Sequence, residues 1–312
     1  MDRTTVDWRG YIPAITTPFT RAGALDIDAL HVQMSWLVDE GIHGAILAGT
    51  SGEWFSMSPE ERARLFAAGA EHRGDAFPVL GACNAFTPDE AIAHARAAEA
   101  AGLDGILLTP PPYIVPSRKE IVAFYRAVSD ATDIPMTVYN WPRGCFVDMD
   151  VDLLTELARI ENVVAIKNST GDFAGFLTAM YALESQVRYF GLPTNAMGAD
   201  LAMLGHGDGL MGTGGILGRD HAGFWNAVDA GDREAAIRLG GKDRVYMDAW
   251  FRPDYGVRFG NQQAIIKTAL RLRGIPAGFV RAPLLELTPQ EVARVEATLH
   301  ELGIETGPLC DD

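Results

Sequence analysis

Three stretches of the 312-residue chain carry residue types at spacings that suit chemistry. The first is Val163-Val164-Ala165-Ile166-Lys167-Asn168-Ser169-Thr170-Gly171. Its four apolar, mostly β-branched residues read as a strand buried on both faces, as in a parallel sheet covered by helices. The strand ends on a lysine, and a polar turn containing glycine follows at once. Burial among apolar neighbours disfavours the charged amine, and a neutral amine can attack a ketone to form a Schiff base. Lowering a lysine from about 10.4 to near 8 costs roughly 3 kcal/mol, which a folded domain can absorb. The plain alternative is a lysine that leaves the strand into solvent.

The second stretch, Gly49-Thr50-Ser51-Gly52-Glu53, sets two hydroxyl residues between glycines, so that backbone N–H groups and hydroxyls can converge on an anion such as a carboxylate. The lysine of a nucleotide-phosphate loop is missing after the last glycine, and an ordinary turn would look the same. The third is Tyr139-Asn140-Trp141-Pro142-Arg143-Gly144. A tyrosine at a strand end can relay protons to a substrate oxygen when neighbours hold its hydroxyl, although such tyrosines are more often core residues with a wet tip.

All three stretches follow predicted strands, at the edge where α/β barrels place their chemistry. Strands are expected at 11–16, 45–48, 78–81, 104–108, 134–139, 163–167, 187–190 and, thinly, 209–212. Helices alternate with them, over about 26–39 with Asp26 or Asp28 as cap, then from Ser58, Thr87, Ser117, Asp150 and Asp172. Ser58-Pro59-Glu60-Glu61 and Thr87-Pro88-Asp89-Glu90 each combine an N-cap, a first-position proline and a capping-box glutamate. About eight βα units favour a closed (β/α)₈ TIM barrel over an open doubly wound sheet. Beyond about residue 230 the alternation stops, and 232–250, 261–273 and 288–302 look helical. The expected organisation is a barrel over 1–230 that carries the site, with 231–312 a small helical region packed on it.

Composition narrows the function. Hydrophobic residues at 48% and charged residues at 21% are globular values. A net charge of −15 repels nucleic acid and anionic membrane surfaces but leaves room for a locally positive pocket. Cys83, Cys145 and Cys310 are odd in number and far apart, which suits a reducing compartment without a disulfide framework. The first residues lack the apolar stretch of a signal peptide, and no apolar run approaches membrane-spanning length. A cytoplasmic enzyme or binding protein is expected. Histidines without paired ligand spacing and cysteines without CxxC predict no metal or organic cofactor.

Ile12-Pro13-Ala14-Ile15-Thr16-Thr17-Pro18-Phe19, Gly49 to Glu53, Ser58-Pro59-Glu60-Glu61-Arg62, Tyr139-Asn140-x-Pro142 and Ile166 to Asp172 recur in this order in one known family. Over essentially its whole length the chain resembles the dihydrodipicolinate synthase and N-acetylneuraminate lyase family of Schiff-base aldolases. The resemblance implies that Lys167 forms an imine with pyruvate or a 2-keto acid and that Tyr139 shuttles protons. It implies that Thr50 and Ser51 hold the keto-acid carboxylate, with Thr50 also linking Tyr139 into a proton relay. Tyr113, after a one-residue insertion, matches a tyrosine lent by a neighbouring subunit, and Gly191 and Leu210 line the pocket. The family is commonly a homotetramer built from tight dimers.

One departure bears on substrate. Dihydrodipicolinate synthases read Tyr-Asn-x-Pro-x-Arg, whereas here the sixth position is Gly144 and Arg143 comes one residue early. A bidentate arginine grip tolerates little displacement. Trp54, Phe55 and Trp141 suggest a bulkier pocket wall, or equally core or interface. The resulting expectation is an aldolase releasing pyruvate, or a dehydratase of a 2-keto-3-deoxy sugar acid, with Arg143 as a candidate substrate contact. The alternatives are 4-hydroxy-tetrahydrodipicolinate synthase and a barrel that binds a keto acid without turnover.

Overall fold

Apolar runs separated by capped helices build eight parallel strands. They are β1 (Gly10–Tyr11), β2 (Ala45–Leu47), β3 (Val79–Ala82), β4 (Gly105–Leu108), β5 (Met136–Asn140), β6 (Val163–Asn168), β7 (Arg188–Phe190) and β8 (Gly209–Leu210). The structure is a computed structural model that describes residues 1–309, so Cys310 lies outside the described residues.

The strands follow one another in the order β1-β8-β7-β6-β5-β4-β3-β2. Backbone bonds then close the ring. Ile15 N–H donates to the Ile46 carbonyl at 3.0 Å, and Ile46 N–H donates to the Pro13 carbonyl at 2.8 Å. The expected first strand, 11–16, therefore bridges its two neighbours but holds a regular ladder only at Gly10–Tyr11, because Pro13 has no N–H to give. β8 is equally short. Gly209 has φ of 146°, and a Cβ there would strike the Gly10 carbonyl, so only glycine lets the first and last strands meet.

Helices cover the outside of the ring. They are α1 (Ile27–Asp39), α2 (Pro59–Ala70), α3 (Pro88–Ala101), α4 (Arg118–Ser129), the short α5 (Pro142–Cys145), α6 (Val151–Leu157), α7 (Phe173–Leu183), α8 (Ala196–Met203), α9 (Arg219–Asp229), α10 (Arg233–Trp250), α11 (Gln262–Leu272) and α12 (Pro289–Glu301). Ser58, Thr87 and Thr288 cap their helices in reciprocal boxes with Glu61, Glu90 and Glu291. Each box satisfies N–H groups that the first turn leaves open.

Two layers of core result. Met136, Val138, Val163 and Ile166 face the helices, while Ile12, Ile46, Leu80, Leu107, Ala165 and Phe190 fill the barrel. A third cluster, including Trp250, Ile265, Ile266 and Leu299, joins α10, α11 and α12 to Ile216 and Leu217.

Candidate active site

Lys167 ends the apolar run of β6 and pairs in register with Tyr139 of β5. Strand alternation turns Ala165 and Lys167 into the barrel. Lys167 is 6% exposed, and its Nζ lies 4.2 Å from the centroid of the Tyr139 ring. Burial pulls its pKa down from 10.5 to about 7, so much of the amine is neutral near neutral pH. Burial pushes the Tyr139 phenol well above its usual range, against a hydrogen bond with Ser169 that works the other way. The phenol thus stays protonated and can carry a proton between the amine and a bound oxygen.

Ser169 escaped the sequence reading. It stands two residues beyond Lys167, the spacing that keeps successive strand residues on one face. Ser169 lies close enough to the Tyr139 phenol to oppose the effect of burial, and Thr50 lines the same cavity from another loop. On the outer side of the strands, Asn140 Nδ2 donates to Asn168 Oδ1 at 3.0 Å, and Asn168 Nδ2 donates to the Tyr189 hydroxyl at 2.8 Å. These bonds lock β5, β6 and β7 together one residue past Tyr139 and Lys167.

The Gly49–Glu53 loop curls over the barrel mouth between two left-handed residues, Ala48 at φ 52° and Glu53 at φ 56°. Such conformations cost about 1–3 kcal/mol each and persist only where the surroundings impose them. Here several groups impose them. Thr17 Oγ1 donates to the Gly52 carbonyl at 2.7 Å, Gln263 Nε2 to the Thr50 carbonyl at 2.9 Å, and Arg281 N–H to Glu53 Oε2 at 3.0 Å. Gln262 Nε2 reaches Ser51 Oγ at 3.4 Å. Among the described residues, the backbone N–H groups of Thr50 and Ser51 have no partner and are free to bind an anion.

Lys167, Tyr139, Ser169, Thr50, Ser51, Gly191 and Leu210 share one cavity of about 300 Å³. Trp141 and Tyr255 form an aromatic wall beside Tyr139, with successive ring centroids 5.9 Å apart. Part of the lining comes from beyond residue 230: Asp243, Tyr246, Met247, Phe251 and Gln262 all line the cavity. The cavity therefore extends beyond residues 1–230, with α10 and the start of α11 contributing to its lining.

Two of the sequence candidates stand elsewhere. Arg143 is not among the residues lining the cavity. Its Nη1 meets Asp254 Oδ2 at 3.2 Å, with both side chains largely in solvent. Tyr113 stands 86% exposed on the loop after β4, at a left-handed φ of 75°. Trp54 lies outside the cavity, against the outer core and the Phe86 ring at 5.8 Å. Burial drives the Cys145 thiol up to about 11, which leaves no thiolate to act as nucleophile. Among the described residues, no three His, Cys, Asp or Glu side chains converge to hold a metal.

A closed parallel barrel with a buried lysine inside the carboxyl end of one strand and a phenol on the next has the architecture of an α/β-barrel enzyme, whose chemistry sits at that end of the strands. The chain belongs to the dihydrodipicolinate synthetase family, whose model matches residues 7–302. A 4-hydroxy-tetrahydrodipicolinate synthase of Kineococcus radiotolerans is 32% identical, the match covering 96% of this chain and 94% of that protein. An uncharacterized DapA-like lyase of Rhizobium meliloti is 29% identical, with coverage of 96% and 98%. Among solved structures, a chloride-inhibited dihydrodipicolinate synthase of Acinetobacter baumannii, complexed with pyruvate, superposes with a TM-score of 0.85. That pair is 26% identical, with coverage of 95% and 99%. The chain is thus an enzyme of the lyase type that this family comprises.

Proposed function

We propose that the enzyme is a class I lyase that binds pyruvate or a related 2-keto acid as a Schiff base on Lys167, acting as an aldolase or as a dehydratase of a 2-keto-3-deoxy sugar acid. The observation that carries this reading is the buried Lys167 amine poised over the Tyr139 ring in a cavity that also holds the open Thr50 and Ser51 amides. The keto-acid carboxylate sits on those amides, which aims its ketone at Nζ. Neutral Nζ attacks the ketone carbon, and Tyr139, supported by Ser169, moves protons so that the carbinolamine hydroxyl leaves as water. The resulting cationic imine draws electrons from the adjacent carbon, which can then lose a proton, break a carbon–carbon bond or expel a β-hydroxyl. No metal or organic cofactor is needed for any of these steps.

Borohydride reduction in the presence of pyruvate should fix a covalent adduct on Lys167, read by peptide mass spectrometry. An unmodified Lys167 peptide would remove the proposal.

The names of several relatives favour a second reading, 4-hydroxy-tetrahydrodipicolinate synthase itself. Arg143 bound to Asp254 and Trp141 in the cavity wall weigh against it. Complementation of a lysine auxotroph decides, and no growth is expected. A barrel that binds a keto acid without turnover would form the adduct yet release no product from a panel of sugar acids. For assembly, the exposed apolar run Tyr113, Ile114 and Val115 supports packing against a second copy, the contact from which the proposed homotetramer would be built. No helix among the described residues is long and apolar enough to cross a membrane. The free, buried thiols of Cys83 and Cys145 support a cytoplasmic setting.

A further inference from the structure

The cavity wall also contains a carboxylate that the proposed chemistry does not use. Asp243 of α10 lines the same cavity as Lys167, with its side chain 19% exposed. Its Oδ1 accepts from His221 Nε2 at 2.9 Å and from the Tyr246 hydroxyl at 2.8 Å, and its Oδ2 accepts from Thr194 Oγ1 at 2.6 Å. His221 is fixed in turn, 1% exposed and stacked on Tyr11 at 4.1 Å between ring centroids. Burial raises the Asp243 pKa, but its bonds to His221, Thr194 and Tyr246 and the attraction of His221 outweigh this and lower it, so the group is an anion.

A carboxylate offers roughly four acceptor sites. Three are filled here by α9, α10 and the loop before α8, which leaves one on Oδ2 beside the cavity. We infer that Asp243 is a specificity-determining residue that accepts a hydrogen bond from a hydroxyl on the part of the substrate beyond the keto acid. The class selected is a 2-keto acid with a neutral, hydroxylated chain. A second carboxylate directed at Asp243 would face a fixed negative charge, since the neighbouring Arg244 of the lining is 81% exposed and paired with Asp248 at 3.1 Å. A wholly apolar chain would leave the acceptor desolvated and unpaired, the situation by which polar sites reject analogues lacking the hydroxyl. The inference rests on the Schiff-base reading for where the keto acid sits, and it deepens that reading by naming the other half of the substrate.

The test separates the two. In a Lys167→Ala background, which removes imine and turnover, calorimetry compares three six-carbon ligands: a 2-keto acid hydroxylated beyond its third carbon, 2-ketohexanoate and 2-ketoadipate. The hydroxylated ligand should bind about tenfold more tightly than 2-ketohexanoate, the scale of one hydrogen bond to a charged group. Adding Asp243→Asn should remove that preference and strengthen 2-ketoadipate, whereas loss of structure would weaken all three ligands alike. No hydroxyl preference in the parent, or equal losses for all three in the variant, would overturn the inference. If Asp243→Asn does not fold, Asp243→Glu keeps the charge but displaces it by one methylene. It should lose the hydroxyl preference and still reject 2-ketoadipate, and stronger binding of 2-ketoadipate would overturn the inference. Borohydride trapping of pyruvate on the enzyme with Lys167 intact reports on the imine alone. Its failure would remove the Schiff-base reading, with the calorimetric preference still deciding the role of Asp243.

Discussion

Lys267 Nζ lies 2.5 Å from Glu53 Oε1, with the two side chains 1% and 0% exposed, so a helix near the end of the chain is ion-paired inside the fold to the loop that follows β2. The amine also donates to the Phe279 carbonyl at 2.6 Å and sits over the Phe19 ring. Burial lowers the Lys267 pKa to about 8, and Glu53 opposes that fall. A buried pair of this kind contributes little net stability, but breaking it leaves a charge without compensation. Its physical role here is to hold Glu53 in its left-handed conformation, and with it the open amides of Thr50 and Ser51.

Removing one partner should therefore be costly. Lys267→Met is expected to destabilise the protein by about 3–5 kcal/mol in denaturant melts. The double variant Lys267→Met, Glu53→Leu should regain most of that stability, yet keep a raised KM for the keto acid because the loop has lost its tether. A double variant with unchanged KM would show that the pair does not position the loop.

Lys167 makes activity and stability respond to pH in linked ways. The neutral amine is the nucleophile, so kcat/KM should rise with pH through about 7. A base whose pKa falls from 10.5 unfolded to about 7 folded costs the fold on the order of 5 kcal/mol, at about 1.4 kcal/mol per unit. The cost is full below pH 7 and fades as pH rises toward 10.5, where the unfolded lysine also becomes neutral. Lys167→Met should thus be inactive but more stable than the parent at neutral pH, with a Tm advantage that narrows toward pH 10. A constant advantage would contradict the depressed pKa.

Tyr139→Phe keeps the ring beneath the amine and removes the proton carrier. A fall in kcat of about 10²–10⁴-fold is expected, with borohydride trapping slowed but not abolished. Ser169→Ala, which leaves the phenol unsupported, should give a smaller loss in kcat at little change in KM. Equal activity of Ser169→Ala and parent would remove Ser169 from the relay.

Arg143 and Tyr113 lie outside the cavity lining, so their substitution separates surface roles from site roles. Arg143→Ala breaks only an exposed pair with Asp254, worth about 0–1 kcal/mol, and should leave keto-acid KM within about twofold. A tenfold rise would bring Arg143 into the site. Tyr113→Asp should shift light scattering toward smaller species and lower activity with it. An active monomer would show that Tyr113 is not lent across an interface.

Much of this architecture was legible in the chain. The caps at Ser58, Thr87 and Thr288 are local chemistry within four residues, so sequence alone locates them. The strand ending on Lys167 is likewise a local pattern. α9 was missed because its N-cap is Gly218, which makes no side-chain cap bond. α8 was missed because it is short and its cap, Asn195, lacks a glutamate at the third position.

The sequence by itself determined the barrel, the family and the inward-facing lysine, because strand period, capping and motif order are all written in neighbouring residues. Only the tertiary structure decided that Ser169 joins Lys167, Tyr139 and Thr50 in one cavity and that Arg143 turns to Asp254. Only it decided that α10 and α11 finish the cavity with Asp243 and brace its loop with Lys267. The physical reason is distance along the chain. Lys267 and Glu53 are 214 residues apart, and a pairing across that separation is set by how the closed barrel and the C-terminal helices pack together, which no local pattern encodes.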